Sequence, residues 1–430
     1  MSPFSQNELR THSAGSQAQR AFALLLRTTA LATALLIQPA GATEIYGALV
    51  PLVERIDVRD PTLGGKPAGS ADQVPPSAFS GLAGTTTRMV GNTTHWGLRV
   101  SESLGSGYRV LAQLESGFQV DSGQLSGAQL FNRNSALALE MPAGRVLLGI
   151  WDTPYKSTTI TYGPVRAGIS LDFPNLLGNP GFGVPPLTTQ STRVGTPADA
   201  AFDRRQGNSI QYWSPTDQLV KARLMLGLGE ARGAITPGGP QIDPRIFSGS
   251  VEVGTPTMSA GIGVEQHDDY FGMSQIGGSP AATATNSSSR DRGLKAYAQT
   301  RLGSVRLLAV LERLRYENDD VAPVAIRSYT RDVGYLLVQP RWGIHSAWVT
   351  VMVANAGNCT RNGASCSTLG LGARQFTAGY SAALSRRTDV FAVVQRLRNN
   401  AASAYSVLPP VPTAAGAEVF GLGFGLIHYF

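Results

Sequence analysis

His95-Trp96-Gly97-Leu98-Arg99-Val100-Ser101 and Tyr108-Arg109-Val110-Leu111-Ala112-Gln113-Leu114-Glu115 are separated by the turn-like stretch Ser103–Gly107. In the first run Trp96, Leu98 and Val100 alternate with His95, Gly97, Arg99 and Ser101. In the second, Tyr108, Val110, Ala112 and Leu114 alternate with Arg109, Leu111, Gln113 and Glu115. Successive side chains of a strand point to opposite faces, so each run carries one apolar row and one mixed row. The two runs read as a β-hairpin. The same alternation recurs at Val251/Val253, Ile262/Val264, Ala296/Ala298 and Leu307/Ala309/Leu311.

The connections between such runs alternate strictly in length. Short ones fall at Ser103–Gly107, Met141–Gly144, Ser214–Gln218, Gly254–Thr257, Leu302–Ser304, Gln339–Gly343 and Ser385–Thr388. Long, polar, Gly- and Pro-rich ones fall at Asp60–Thr93, Gln119–Phe131, Asp152–Asp203, Glu230–Arg245, His267–Asp291, Glu317–Ser328, Ala356–Leu371 and Arg398–Gly416. Seven short and eight long connections separate sixteen strands. Tight turns at one end and long loops at the other mark a barrel that crosses an outer membrane, with both chain ends on the periplasmic side. The expected fold is therefore all-β, a 16-stranded antiparallel transmembrane β-barrel with short periplasmic turns and long external loops.

Composition agrees. Charged residues make up 15% of the 430 residues, against roughly 25% in soluble domains. Glycine, 49 residues, is also over-used. No mature segment reaches the ~18 consecutive apolar residues of a spanning helix. Near the start, Arg10, Arg20 and Arg27 precede an apolar run from Thr28 to Ile37 and then Pro39-Ala40-Gly41-Ala42. That is the layout of an export signal, with cleavage expected after Ala42, so that 1–42 is removed and 43–430 forms the barrel. Cleavage would leave 33 basic residues against 28 acidic. Cys359 and Cys366, with six residues between them, lie in a polar stretch without His or acidic neighbours, which in an oxidising compartment points to a loop-closing disulfide.

The last strand ends the chain. Phe420, Leu422, Phe424, Leu426, His428 and Phe430 occupy one face, with Gly421, Gly423 and Gly425 between them. A terminal strand of this kind ending in Phe is similar to the assembly signal of outer-membrane barrels, which implies that Phe430 is read by the barrel assembly machinery.

Together these features resemble the general-diffusion porins of Gram-negative bacteria, particularly the trimeric porins of β-proteobacteria. The matching stretches are Glu44-Ile45-Tyr46-Gly47-Ala48, Trp96–Gly105, Leu114-Glu115-Ser116-Gly117-Phe118, Leu130-Phe131-Asn132-Arg133, Gly207–Pro215 and Phe424–Phe430. The resemblance implies a homotrimer in the outer membrane, surrounded by lipid and lipopolysaccharide. Its apolar contact wall would come from Ile45–Val58 and Val419–Phe430. The resemblance also implies a third external loop, 152–203, folded into the lumen. Ile150 and Trp151 stand where many relatives carry Arg, and the loop lacks the acidic Pro-Glu-Phe-Gly-Gly stretch of enteric porins.

A diffusion pore needs no cofactor, only a polar lumen and charge placed at its narrow zone. Of 36 basic residues 32 are Arg, which stays charged and presents a rigid fork of donors. Arg99 shares a face with Gly97 and Ser101, and Arg205 with Gly207, Ser209 and Gln211, so both are expected to face the lumen. Arg133 shares its parity with Leu137 and Leu139, and only the family pattern places it in the basic wall. The expected constriction is Arg99, Arg133 and Arg205 facing Asp152 and Asp172 of a nearly neutral third loop, with a field biased toward anions. His95 lies on the Arg99 face and is a lesser candidate for a pH-dependent charge. Five scattered His and no nucleophile or phosphate-loop pattern argue against an enzyme. Arginines spread one or two per strand argue against a nucleic-acid surface. Two other functions stay open at this point: a substrate-specific channel for small organic acids, and a closed barrel with an adhesive or structural role.

Overall fold

The computed structural model describes residues 43–62, 83–127, 129–160, 163–181, 200–229, 233–234, 241–275, 285–323, 325–407, 411, 413 and 415–430. The export signal expected at 1–42 lies outside them, as do Arg193 and Asp199 of the third loop.

Sixteen antiparallel strands close on themselves. The first runs Thr43–Leu49 and Leu52–Arg59, and the second Gly84–Val90 and His95–Gly105, each broken once. The third to seventh are Tyr108–Gly117, Ser135–Met141, Gly144–Asp152, Arg205–Trp213 and Val220–Leu228. The eighth to twelfth are Arg245–Gly254, Met258–Asp268, Ser289–Leu302, Val305–Asn318 and Ile326–Trp342. The thirteenth, His345–Ala354, resumes as Asn358–Arg361, and Ala373–Ala383, Thr388–Asn399 and Glu418–Tyr429 complete the set. The last strand pairs with the first, Val58 opposite Val419 and Leu52 opposite Gly425, which removes every free edge. Among the described residues no helix is long and apolar enough to cross a membrane.

Two connections are shorter than the alternation predicts. Gly84–Val90, expected inside the loop Asp60–Thr93, extends the second strand. Its Thr85-Thr86-Thr87 run is β-branched but polar on both faces, so it carries no period-two signal. Likewise the eleventh strand reaches Asn318 and the twelfth begins at Ile326, because the outward positions there are charged, Arg313 and Arg315 facing Asp332 and Thr330.

Alternation sorts the side chains as the period requires. Leu294, Leu311, Leu336, Val351, Phe376 and Leu422 stand exposed on the outer face, where lipid would cover them. Their strand neighbours point inward, and on strands ten to sixteen and the first many of those are apolar and buried: Leu308, Val310, Leu337, Trp348, Phe391 and Leu52. Ile169, Leu171, Leu176 and Leu177 of the third loop fill the space against them, so the barrel contains a hydrophobic core inside its own lumen.

The break in the first hairpin positions that loop. Pro51 has no N–H to give the ladder, and the chain opens at Val50-Pro51 opposite Gly91–Thr94. Thr94 Oγ1 accepts the Val50 N–H at 2.9 Å, and Asn92 Nδ2 donates to the Val50 carbonyl at 2.9 Å. Asn92 Oδ1 then takes the Ser170 N–H at 2.7 Å, and Thr93 Oγ1 donates to the Gly168 carbonyl at 3.0 Å. The glycines of the last strand serve the same packing. Leu171 lies over Gly421 so closely that a Cβ there would collide with it, and one on Gly423 would come within 3.2 Å of Leu171 and 2.8 Å of Leu52.

Candidate pore constriction

The third loop leaves the fifth strand through a short helix, Pro154–Ile160. Thr153 Oγ1 accepts the Lys156 N–H at 3.2 Å as an N-cap, and Pro154 occupies the first helical position, where no N–H is needed. One turn of helix brings Lys156 back over Asp152, with Nζ at 2.8 Å from Oδ1. Arg205, at the head of the sixth strand directly opposite Asp152, reaches the same carboxylate at 3.3 Å and donates from Nε to Asn134 Oδ1 at 2.8 Å. Asn134 closes the group by donating to Asp152 Oδ2 at 2.8 Å.

Arg133 precedes the fourth strand, so strand parity does not govern it. Leu137 and Leu139 point outward from the strand proper, whereas Asn132-Arg133-Asn134 is pinned inward by its two asparagines. Arg133 Nε donates to Glu115 Oε1 at 2.5 Å, and the Tyr46 hydroxyl donates to Glu115 Oε2 at 3.1 Å. His95 stands 3.9 Å from the same carboxylate, its Nδ1 paired with the Thr93 carbonyl at 2.7 Å.

Arg133, Arg205, Asp152 and Asp172 line one cavity of about 340 Å³, together with Lys156 and Arg166. Opposite the basic wall runs the loop backbone Gly163–Ile169. It is anchored by the Gln339 side chain donating to the Pro164 carbonyl at 2.5 Å and by a two-pronged Arg166–Asp389 pair at 2.7 Å. Asp172 is buried and accepts from Trp348 Nε1 at 3.0 Å. Burial pushes its carboxyl up to about 8, against the pull of the Trp348 hydrogen bond, and so favours the neutral acid. Burial also pulls Lys156 below its ordinary value, opposed by Asp152.

Arg99 is not in this group. It lies over the Tyr46 ring at 4.5 Å, pairs with Glu44 at 3.2 Å and with Gln113, and lines a separate cavity on the periplasmic side. The face expected for it is the one it takes, but its level in the pore depends on strand stagger, which parity does not reveal. Lys156 and Arg166 join the narrow zone although neither belongs to the expected set. The readable signal for Lys156 was Asp152-Thr153-Pro154 followed by Lys156, a helix start with an i,i+4 ion pair. For Arg166 no local signal exists, because its partner is 223 residues away. Cys359 and Cys366 are bonded to each other, with Cα atoms 5.7 Å apart.

A closed barrel whose polar, charged inner wall faces an inward-folded loop defines a diffusion channel. The sequence matches the Gram-negative porin family over residues 28–402, and the chain belongs to that family. It is accordingly an outer-membrane channel of a Gram-negative bacterium and not an enzyme. Among solved structures it is similar to an anion-selective porin from Comamonas acidovorans, at 17% identity and a TM-score of 0.65 over 91% of this chain and 100% of that one. It is also similar to the trimer form of in-vitro folded OmpT from Vibrio cholerae, at 13% identity and a TM-score of 0.53 over 91% and 100% of the two chains. OmpF of Salmonella typhi matches at 10% identity and a TM-score of 0.54, over 91% and 98%. At such identities the likeness is one of fold. Among curated proteins no sequence matches.

Proposed function

We propose that the cavity between Arg133, Arg205 and the third loop is the selectivity filter of the channel and that it favours anions. The observation that carries this reading is the charge of its lining. Four cations, Arg133, Lys156, Arg166 and Arg205, stand against their paired carboxylates Glu115, Asp389 and Asp152, and against Asp172, whose carboxyl burial pushes up to about 8. The likeness to an anion-selective porin points the same way. The two arginines are both ion-paired, Arg205 with Asp152 and Arg133 with Glu115, and Arg133, the more open of the two, projects the larger field into the lumen. The test replaces both by Gln. At low salt, where the Debye length is ~10 Å or more, the anion-to-cation permeability ratio from reversal potentials should fall roughly two- to threefold. At 1 M salt the difference should vanish. An unchanged ratio at low salt would remove these arginines from the filter.

The same reading extends to assembly. The outward residues Ile45, Leu422 and Phe424 of the first and last strands form an exposed apolar strip, which supports a homotrimer closed through that wall. Cross-linking in native membranes that captures only monomers would refute it. Export with removal of 1–42, contact with lipopolysaccharide, and reading of Phe430 by the assembly machinery complete the proposal.

A further inference from the structure

Below the constriction, one cross-strand row carries more chemistry than a diffusion pore needs. Arg109 lies opposite Glu140, Glu140 opposite Arg145, Arg145 opposite Trp213 and Trp213 opposite Arg223, in register over strands three to seven. Trp213 faces inward, opposite in sense to the exposed Tyr212, and its Nε1 donates to Gln211 at 3.0 Å. The Arg145 and Arg223 guanidiniums lie 5.6 and 4.7 Å from its ring. The Trp151 ring meets Trp213 edge-on at 5.6 Å. Glu140 is the only carboxylate in the row, paired with Arg145 and 3.9 Å from Arg109. Arg99, Arg109, Gln113, Glu140, Arg145 and Trp151 line a cavity of about 340 Å³ beside it.

We propose that this cavity is a second solute subsite, on the periplasmic side of the filter, that binds planar aromatic carboxylates. The reasoning rests on the anion-selective reading above, since the solute must first pass the filter. An excess of arginine over carboxylate offers forked donors for one carboxylate group. The Trp151 indole, backed by Trp213, offers an apolar wall, and guanidinium planes accept aromatic faces. Chloride or a short aliphatic acid uses only the first of these features. A neutral ring uses only the second.

The test uses the assembled protein in planar bilayers at low salt, with benzoate and acetate as probes of the chloride current. Benzoate should reduce that current saturably, with half-effect at about tenfold lower concentration than acetate. Trp151→Ala should bring the two acids within about twofold of each other, and Trp151→Phe should restore the gap. Chloride-over-potassium reversal potentials should be the same in all three proteins. Equal potency of benzoate and acetate in the unaltered protein would overturn the proposal, and so would a folded Trp151→Ala channel that keeps the gap. If Trp151→Ala does not assemble, Arg145→Gln reads the same cavity: its benzoate half-effect should rise several-fold, and no rise overturns the subsite. A filter that proves non-selective for chloride would defeat the reading above it, while the benzoate-to-acetate ratio would still report on this cavity.

Discussion

On strands two to six the inward row is Arg99, Gln113, Glu115, Arg205 and Gln211, whereas on strands eleven to sixteen it is largely Leu308, Val310, Tyr335, Leu337, Trp348 and Phe391. Both walls alternate with period two and both present apolar rows to the outside. The difference is what covers the inner row. On the first wall the charged and amide groups are held by one another, with Glu115, Arg205 and Gln211 buried among their partners and Arg99 and Gln113 partly exposed. On the second it is the third loop, whose Leu171, Leu176 and Leu177 turn that wall into a packed core. Each such side chain contributes on the order of 1.5–3 kcal/mol by leaving water. The wall proposed to select is therefore polar, and the wall that holds the loop in place is apolar and dry.

Polar groups on the dry wall are correspondingly expensive to disturb. Glu312 accepts the Tyr155 hydroxyl at 2.8 Å and the Gly178 N–H at 2.8 and 2.9 Å, and pairs with Arg331 at 3.2 Å and Lys295 at 3.5 Å. Lys295 also binds Asp203 at 2.6 Å, and all these side chains are buried. Glu312→Ala leaves two buried cations short of a partner, so a loss of ~3–5 kcal/mol is expected. Its sign is a lower temperature for heat-induced collapse of the folded band on gels, together with noisier single-channel current as the loop loosens. An unaltered collapse temperature would mean that the loop is not held by this network.

Overpacking the same wall sharpens the contrast from the other side. Gly421→Leu should displace Leu171 and cost about 1–3 kcal/mol, while the same change at Gly207, where nothing lies within 4 Å, should cost little. Equal effects in the same gel assay would break the comparison.

A smaller effect concerns Asp172, which belongs to both walls. Burial pushes its folded carboxyl up to about 8, from about 3.9 for an unperturbed Asp. The folded state therefore binds the proton more tightly, and the associated stability is full below about pH 4 and lost as the pH rises through 8. The same ionisation adds a negative charge to the filter, so anion preference at low salt should weaken between pH 6.5 and 9.5. Asp172→Asn should remove that step; a step that survives belongs to another group. The smallest effect is expected at Cys359–Cys366. Replacing both by Ser releases an external loop worth ~2 kcal/mol of closure entropy, visible as faster proteolysis of that loop in intact cells, with permeability ratios unchanged.

Strand number and the side that most strand residues face follow from the sequence alone. They depend only on period-two alternation and on loop length, which are local properties. The inward sense of Arg99 and Arg205 was legible for the same reason. The level at which each arginine sits was not, because stagger accumulates over many strand pairs: Arg99 lines a separate cavity from the one that Arg133, Lys156 and Arg166 line. The protonation of Asp172 was equally hidden, since it depends on burial beneath Trp348, 176 residues away. Alternating glycine in the last strand was visible as a pattern, but its use as the seat of Leu171 was not. Those features arise only when the third loop packs across the lumen, where residues distant in sequence set each other's solvent and charge.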